Sequence, residues 1–196
     1  MNSAVILAGG ESRRMQRDKM TLPFGASSLL ASAVARFSGY FDPVYVSVNE
    51  AGKYPEIAAE HLVDVYKGCG PMGGLHAALL KAGGDGVFLT AADLPYSDPR
   101  TALRIIELSG DSDICITADI SSRYEPLFGY YRKTVLPFIE SALRAGDYKI
   151  AALFDKIRLR IVTREELGEF WQEKLLLNIN YPEDYERLVG AEKHDF

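Results

Sequence analysis

Short apolar runs rich in β-branched residues alternate along this chain with stretches of helical periodicity, and that alternation limits the folds open to it. Ala4 to Leu7, Val44 to Val48, Val87 to Thr90 and Ile114 to Thr117 read as strands. Their nearly unbroken apolar character predicts burial on both faces and parallel pairing. Between them Leu29, Leu30, Val34 and Phe37 fall at helical spacing, as do Leu75, Leu79 and Leu80. Leu103 and Ile106 do so again after Ser97-Asp98-Pro99, a helix start with proline in its first turn. A βαβ series of this kind puts helices on both faces of one open sheet, a three-layer α/β arrangement of Rossmann-like character with a mostly parallel sheet. Ligands of such sheets bind outside the carboxyl ends of the strands, so chemistry is expected in the loops after Leu7, Val48 and Thr90. From Tyr124 onward the pattern changes. Leu127-Phe128-Gly129-Tyr130-Tyr131 alternates like a strand and Val135 to Leu143 reads as a helix, together expected to add a strand and a lid. Lys156, Arg158 and Arg160 alternate with apolar residues and read as the solvated face of a strand.

With 196 residues, 47% of them apolar, the chain can bury one substantial core, and a single domain over 1–196 is expected, with a frayed polar tail from Gly190 to Phe196. The net charge of −5, with basic residues scattered among more numerous acids, offers no stripe for a nucleic-acid backbone. Cys69 and Cys115 are too few and too far apart in sequence for a disulfide framework or structural zinc, which fits a reducing cytosol. The first apolar run, Ala4 to Ala8, is far too short for a bilayer and ends in glycines, so a cytoplasmic protein with no membrane partner is expected.

The strongest local signal directly follows the first strand: Leu7-Ala8-Gly9-Gly10-Glu11-Ser12-Arg13-Arg14-Met15-Gln16-Arg17-Asp18-Lys19. Two glycines let the backbone approach a ligand, and successive N–H groups in such a turn form a concave anion site. Arg13 and Lys19 add fixed positive charge, which suits the pyrophosphate that leaves when a triphosphate is attacked at its α-phosphorus. The P-loop spacing and the third glycine of a dinucleotide fingerprint are both missing, so those two readings fall. Asp93 follows the strand ending at Thr90 and precedes Leu94-Pro95. It reads either as a turn former or as the single carboxylate that Mg²⁺ on nucleotide phosphates commonly takes. Asn178 and Asn180, two apart after Leu175 to Leu177, point the same way if that run is a strand, although Asn180 could equally cap the helix opened by Pro182-Glu183-Asp184. His61, His76 and His194 lack metal-ligand spacing, and His76, inside an apolar helix, reads as packed.

The phosphate loop resembles the Leu-x-Gly-Gly-x-Ser-x-Arg-Met-Gly-x-Asp-Lys motif of the MobA-type molybdenum cofactor guanylyltransferases, within the wider superfamily of nucleotide-diphospho-sugar transferase fold. Similar blocks occur in order at Asp64 with Gly70-Pro71-Met72-Gly73-Gly74, at Ala92-Asp93-Leu94-Pro95, around Arg123 to Pro126, and at Asn178-Ile179-Asn180-Tyr181-Pro182-Glu183-Asp184, so the resemblance spans nearly the whole chain. It implies transfer of GMP from GTP to the terminal phosphate of molybdenum-loaded molybdopterin, with Mg²⁺ held by Asp93 and transient contact with cofactor-delivery proteins or molybdoenzyme chaperones. It further implies that Leu7, Ala8, Gly9, Gly10, Ser12, Lys19, Asn49 and Asp64 meet the guanine nucleotide. Gly70 and Gly74 would permit close approach of base or cofactor, while Lys149, Asn178 and Asn180 would serve the acceptor.

Two positions depart from the family pattern: Gln16 stands where glycine is usual, and Tyr181 where threonine precedes the proline. The neighbouring reading, a cytidylyltransferase, would carry Leu-Ala-Ala-Gly where this chain has Leu7-Ala8-Gly9-Gly10. A non-catalytic nucleotide-binding module would have no use for a metal carboxylate such as Asp93.

Overall fold

A computed structural model describes residues 2–9, 18–119, 121 and 123–192. The strands are β1 (Ser3–Leu7), β2 (Pro23–Phe24), β3 (Ser27–Ser28), β4 (Val44–Val48), β5 (Glu60–Val63), β6 (Gly86–Ala91), β7 (Ile114–Ala118), β8 (Tyr124–Arg132) and β9 (Leu159–Val162). The α-helices are α1 (Leu29–Ser38), α2 (Pro71–Lys81), α3 (Pro99–Leu108), α4 (Leu136–Arg144), α5 (Arg164–Leu167) and α6 (Pro182–Glu192). Seven strands form one sheet in the order β5-β4-β1-β6-β8-β7-β9, and β2 and β3 make a separate small hairpin. The pairs β1–β4, β1–β6, β4–β5 and β7–β9 are parallel, whereas β8 runs antiparallel to both β6 and β7.

The four strands expected from apolar runs are all present. Parallel pairing holds for the first three among themselves, but β7 does not join them directly, because β8 is inserted between it and β6. The run 127–131 is thus an interior strand, and its Gly129 explains the fit: a Cβ there would overlap Ile116 Cγ2 and lie 2.8 Å from the Cys115 carbonyl oxygen. The expected lid is absent from this region, since α4 packs against α2 as part of the covering layer. Lys156 ends a 3-10 segment, Ile150–Lys156, so of the three basic residues only Arg160 lies in β9. Arg158 pairs with Asp113 at 3.0 Å, and Arg160 pairs with Glu166.

Side-chain alternation shows which helix covers which face. Phe88 stacks on Phe37 of α1 and lies in register with Ala4, while Leu7, an odd number of residues further on, faces Gly74 of α2. Hence α1 and α2 flank opposite faces, and the central strands β1, β4 and β6 are buried along their whole length. A second, small apolar cluster of Leu22, Leu29, Ile179 and Leu188 fastens α6 and the segment before it to the residues just beyond the phosphate loop.

Candidate active site

The carboxyl ends of β1, β4 and β6 meet at one edge, where backbone bonds lock them together: Ala8 N–H donates to the Ser47 carbonyl at 3.0 Å and Ala92 N–H to the Leu7 carbonyl at 3.2 Å. Asp93 lies two residues past β6 at this edge. Lys19 opens a 3-10 turn, Lys19–Thr21, and its ammonium donates to Asp93 Oδ2 at 2.5 Å and to the Ile179 carbonyl at 3.0 Å. Ile179 N–H in turn donates to the Asp93 carbonyl at 3.0 Å. Residues from the start, middle and end of the chain are therefore tied together by three hydrogen bonds.

This arrangement leaves two oxygens in need of a partner. Asp93 Oδ1 and Asn178 Oδ1 are both buried and neither has a hydrogen-bond donor among the described residues. An unpartnered buried acceptor costs roughly 1–3 kcal/mol, and the cost is removed when a cation or donor arrives. Both are hard oxygen donors of the kind Mg²⁺ takes, so the residues fit that ion. Among the described residues no three His, Cys, Asp or Glu gather in metal-binding geometry, so a metal here would draw most of its ligands from substrate phosphates and water.

The strand reading of Leu175 to Leu177 is corrected. Leu175 N–H donates to the Gln172 carbonyl at 2.9 Å and Leu177 N–H to the Lys174 carbonyl at 3.0 Å, so local turn bonds replace a ladder. Asn178 and Asn180 instead straddle Ile179, whose fully buried side chain anchors the segment in the small cluster. Asn180 is exposed. The start of α6 is held by Asp184, whose Oδ2 accepts from Asn180 N–H at 3.0 Å and Tyr181 N–H at 2.9 Å.

On the other side of Asp93, Asp64 follows β5 and accepts from Ser47 Oγ at 3.0 Å. Burial pushes its carboxyl above the usual range, and the Ser47 bond only partly offsets this. Asn49 is exposed at the end of β4. A Cβ at Gly9 would sit 3.5 Å from Asn49 N, an ordinary contact, so no atom of the described residues demands glycine there. Gly74 differs, because a Cβ there would overlap Ser47 Oγ and lie 2.7 Å from Leu7 Cδ2, which makes it a helix-on-sheet contact. Gly70 caps α2 with φ +59, ahead of Pro71. Lys149 is exposed on the rim of an apolar cavity of about 370 Å³ between α2 and β8. Gly10, Ser12, Arg13 and Gln16 lie outside the described residues.

Three site residues escaped the sequence reading. Asp18 caps the Lys19 turn by accepting from Met20 N–H at 3.1 Å, and its other oxygen accepts from Tyr54 Oη at 2.8 Å with Lys53 Nζ at 3.6 Å. Tyr54 is buried and adopts φ +56, a conformation disfavoured for residues other than glycine. Glu125 is the second residue of β8, and its carboxyl is pushed up by burial, opposed by the bond from Leu127 N–H and reinforced by the Asp93 charge. Asp18 lay in the phosphate-loop motif and Glu125 in the Arg123 to Pro126 block without either being given a role, whereas Tyr54 lay in no motif. His76 is packed in α2, edge-on to Tyr66 with its Nε2 3.7 Å from Glu140.

A family model described as the MobA-like NTP transferase domain matches residues 4–161. The chain is 32% identical over 188 residues to a probable molybdenum cofactor guanylyltransferase of Carboxydothermus hydrogenoformans, covering 95% of this chain and 94% of that one. It is 31% identical to a molybdenum cofactor guanylyltransferase of Syntrophotalea carbinolica, covering 94% and 89%. In structure it resembles molybdopterin-guanine dinucleotide biosynthesis protein A of Archaeoglobus fulgidus, with a TM-score of 0.85 at 23% identity over 98% and 99% of the two chains, a likeness of fold. The fold alone does not choose the base, since 2-C-methyl-D-erythritol 4-phosphate cytidylyltransferase of Thermus thermophilus shares it with a TM-score of 0.69 at 16% identity over 100% and 99% of the two chains. With the family matched over most of its length and these relatives aligned nearly end to end, the chain belongs to the MobA-like NTP transferases and is a nucleotidyltransferase.

Proposed function

We propose that the protein transfers GMP from GTP to the terminal phosphate of molybdenum-loaded molybdopterin, forming a dinucleotide cofactor and releasing pyrophosphate. The observation that carries this reading is the Lys19–Asp93–Ile179 junction with the unpartnered oxygens of Asp93 and Asn178 beside it. The acceptor phosphate oxygen forms a bond to the α-phosphorus in line with the bond that breaks, and the electron pair leaves with pyrophosphate. Lys19 is held at the crevice, where its ammonium neutralises charge that develops on phosphate oxygens. Asp93 and Asn178 are the residues that would hold Mg²⁺, which would supply Lewis-acid charge to the phosphates. Asp64, Asn49 and Gly9 are assigned to the nucleotide side, and the exposed Asn180 to the acceptor side. No protein nucleophile is needed, because positioning and charge neutralisation carry such a transfer.

Among the described residues no helix is long and apolar enough to cross a membrane, and we place the enzyme in the cytoplasm, meeting delivery proteins or molybdoenzyme chaperones transiently. The test is pyrophosphate release by the purified protein with Mg²⁺ and metal-loaded molybdopterin. GTP should be strongly preferred over CTP and ATP. Preference for CTP would move the enzyme to the cytidylyl branch, and GTP binding without turnover would leave only a binding module.

A further inference from the structure

A second cavity, of about 480 Å³, opens between the carboxyl ends of β7 and β9. Strands β6 and β7 are both antiparallel to β8, so they end at the same sheet edge, where β8 begins. The cavity therefore lies on the edge that carries Asp93, two to three strand spacings away, or about 10–14 Å. Asp64 and Asn49 sit on the opposite side of Asp93, after β5 and β4. One segment joins the two places: Trp171 lines the cavity, and Asn178 and Ile179 of the same segment lie at Asp93.

The lining has the chemistry of a ring site. Tyr124 is about half exposed and is braced from behind by Phe154, edge to face at 6.0 Å. The Arg164 guanidinium lies 5.9 Å from the Trp171 ring centre, and Ile161 adds an apolar wall. Asp119, whose oxygens already accept from Ser121 N–H and Arg123, and the exposed Glu165 also line the cavity. Flat π faces accept a planar heterocycle, and carboxylates accept from the N–H donors on its edge.

We infer that this cavity is the subsite for the planar heteroaromatic end of the acceptor, a 2-amino-4-oxo-pteridine ring whose phosphate reaches Asp93. The inference rests on the guanylyl-transfer reading for the acceptor's identity, while the cavity's chemistry stands without it. A base of GTP would lie on the Asp64 side instead, with β6 and β8 between it and the cavity.

Trp171 is the chain's sole tryptophan, so its emission reports occupancy directly. Pterin-6-carboxylate titrated into the full-length protein should quench that emission saturably. Tyr124→Leu should weaken the apparent affinity roughly tenfold, as expected for loss of one ring stack. Ala118→Phe, which fills the cavity from the end of β7, should abolish saturation. Both variants should bind GTP with Mg²⁺ as the wild type does, which also shows that they fold. With metal-loaded molybdopterin, Tyr124→Leu should raise the acceptor KM roughly tenfold and leave kcat and the GTP KM unchanged.

Three outcomes overturn the subsite: no saturable quenching in the wild type, quenching indifferent to both variants, or Tyr124-dependent quenching by GTP alone. Turnover of GTP that persists in those cases would leave guanylyl transfer standing. Saturable, Tyr124-dependent quenching with no pyrophosphate release from GTP when metal-loaded molybdopterin is supplied would uphold the ring site and remove the guanylyl reading.

Discussion

Lys19 and Asp93 show how far a residue's role can be read before its neighbours are known. From sequence, Lys19 is a loop lysine whose removal should leave stability untouched. In the fold it is mostly buried, paired at 2.5 Å with an equally buried carboxylate. Lys19→Ala is therefore expected to abolish turnover and also to destabilise the metal-free protein by about 1–3 kcal/mol, because Asp93 is left charged and unpaired. Thermal unfolding with and without Mg²⁺ checks this: the ion should restore part of the lost Tm, and an unchanged Tm in its absence would refute the structural half. Asp64 gives the opposite sign. Burial raises its folded pKa above the unfolded value, so stability falls as pH rises from the unfolded to the folded pKa, and at neutral pH the ionised group is a net cost. Asp64→Asn should raise Tm at pH 7, have little effect at pH 3, and weaken GTP binding. A lower Tm at pH 7 would show that the Ser47 bond outweighs desolvation.

At the scale of elements, α2 and the turn after the phosphate loop are held by contacts that no periodicity reveals. Gly74 carries no ligand-facing signature in the fold, and its absent side chain lets α2 close on Leu7 and Ser47. Gly74→Ala should push α2 away from β1 and β4, costing about 1–3 kcal/mol of overpacking and weakening nucleotide binding together with stability. Urea unfolding and GTP titration on the same preparation test whether the two losses travel together. The turn that presents Lys19 is braced by Asp18, which Tyr54 holds from the β4–β5 connection in a left-handed conformation. Tyr54→Phe removes that hydroxyl while keeping the ring, and should lower kcat several-fold with a Tm change of about 1 kcal/mol equivalent or less. Wild-type kcat in this variant would sever Tyr54 from the positioning of Lys19. A tyrosine 35 residues beyond Lys19, in a loop, leaves no pattern by which sequence could have found it.

At the scale of the whole molecule, the site exists because the chain's end is returned to its beginning: Lys19 and Ile179 are 160 positions apart and share a hydrogen bond. The anchor is the side chain of Ile179, fully buried with Leu22, Leu29 and Leu188. Ile179→Ala should cost about 2–5 kcal/mol and lower activity beyond what that instability explains, since Asn178 and the Lys19 acceptor move with the segment. Activity per folded molecule, measured well below the variant's Tm, separates the two effects. The sequence by itself determined the strands β1, β4, β6 and β7 and the edge where chemistry sits, because hydrophobic periodicity and glycine-rich loop chemistry are local properties. It also marked Lys19, Asp93 and the paired asparagines, because their residue types suit phosphate and metal. Only the tertiary structure decided that β8 runs antiparallel inside the sheet, that Leu175 to Leu177 turns instead of pairing, and that Ile179 rather than either asparagine closes the junction. Those outcomes depend on which buried polar group finds which partner across the chain, and that long-range pairing has no signature along it.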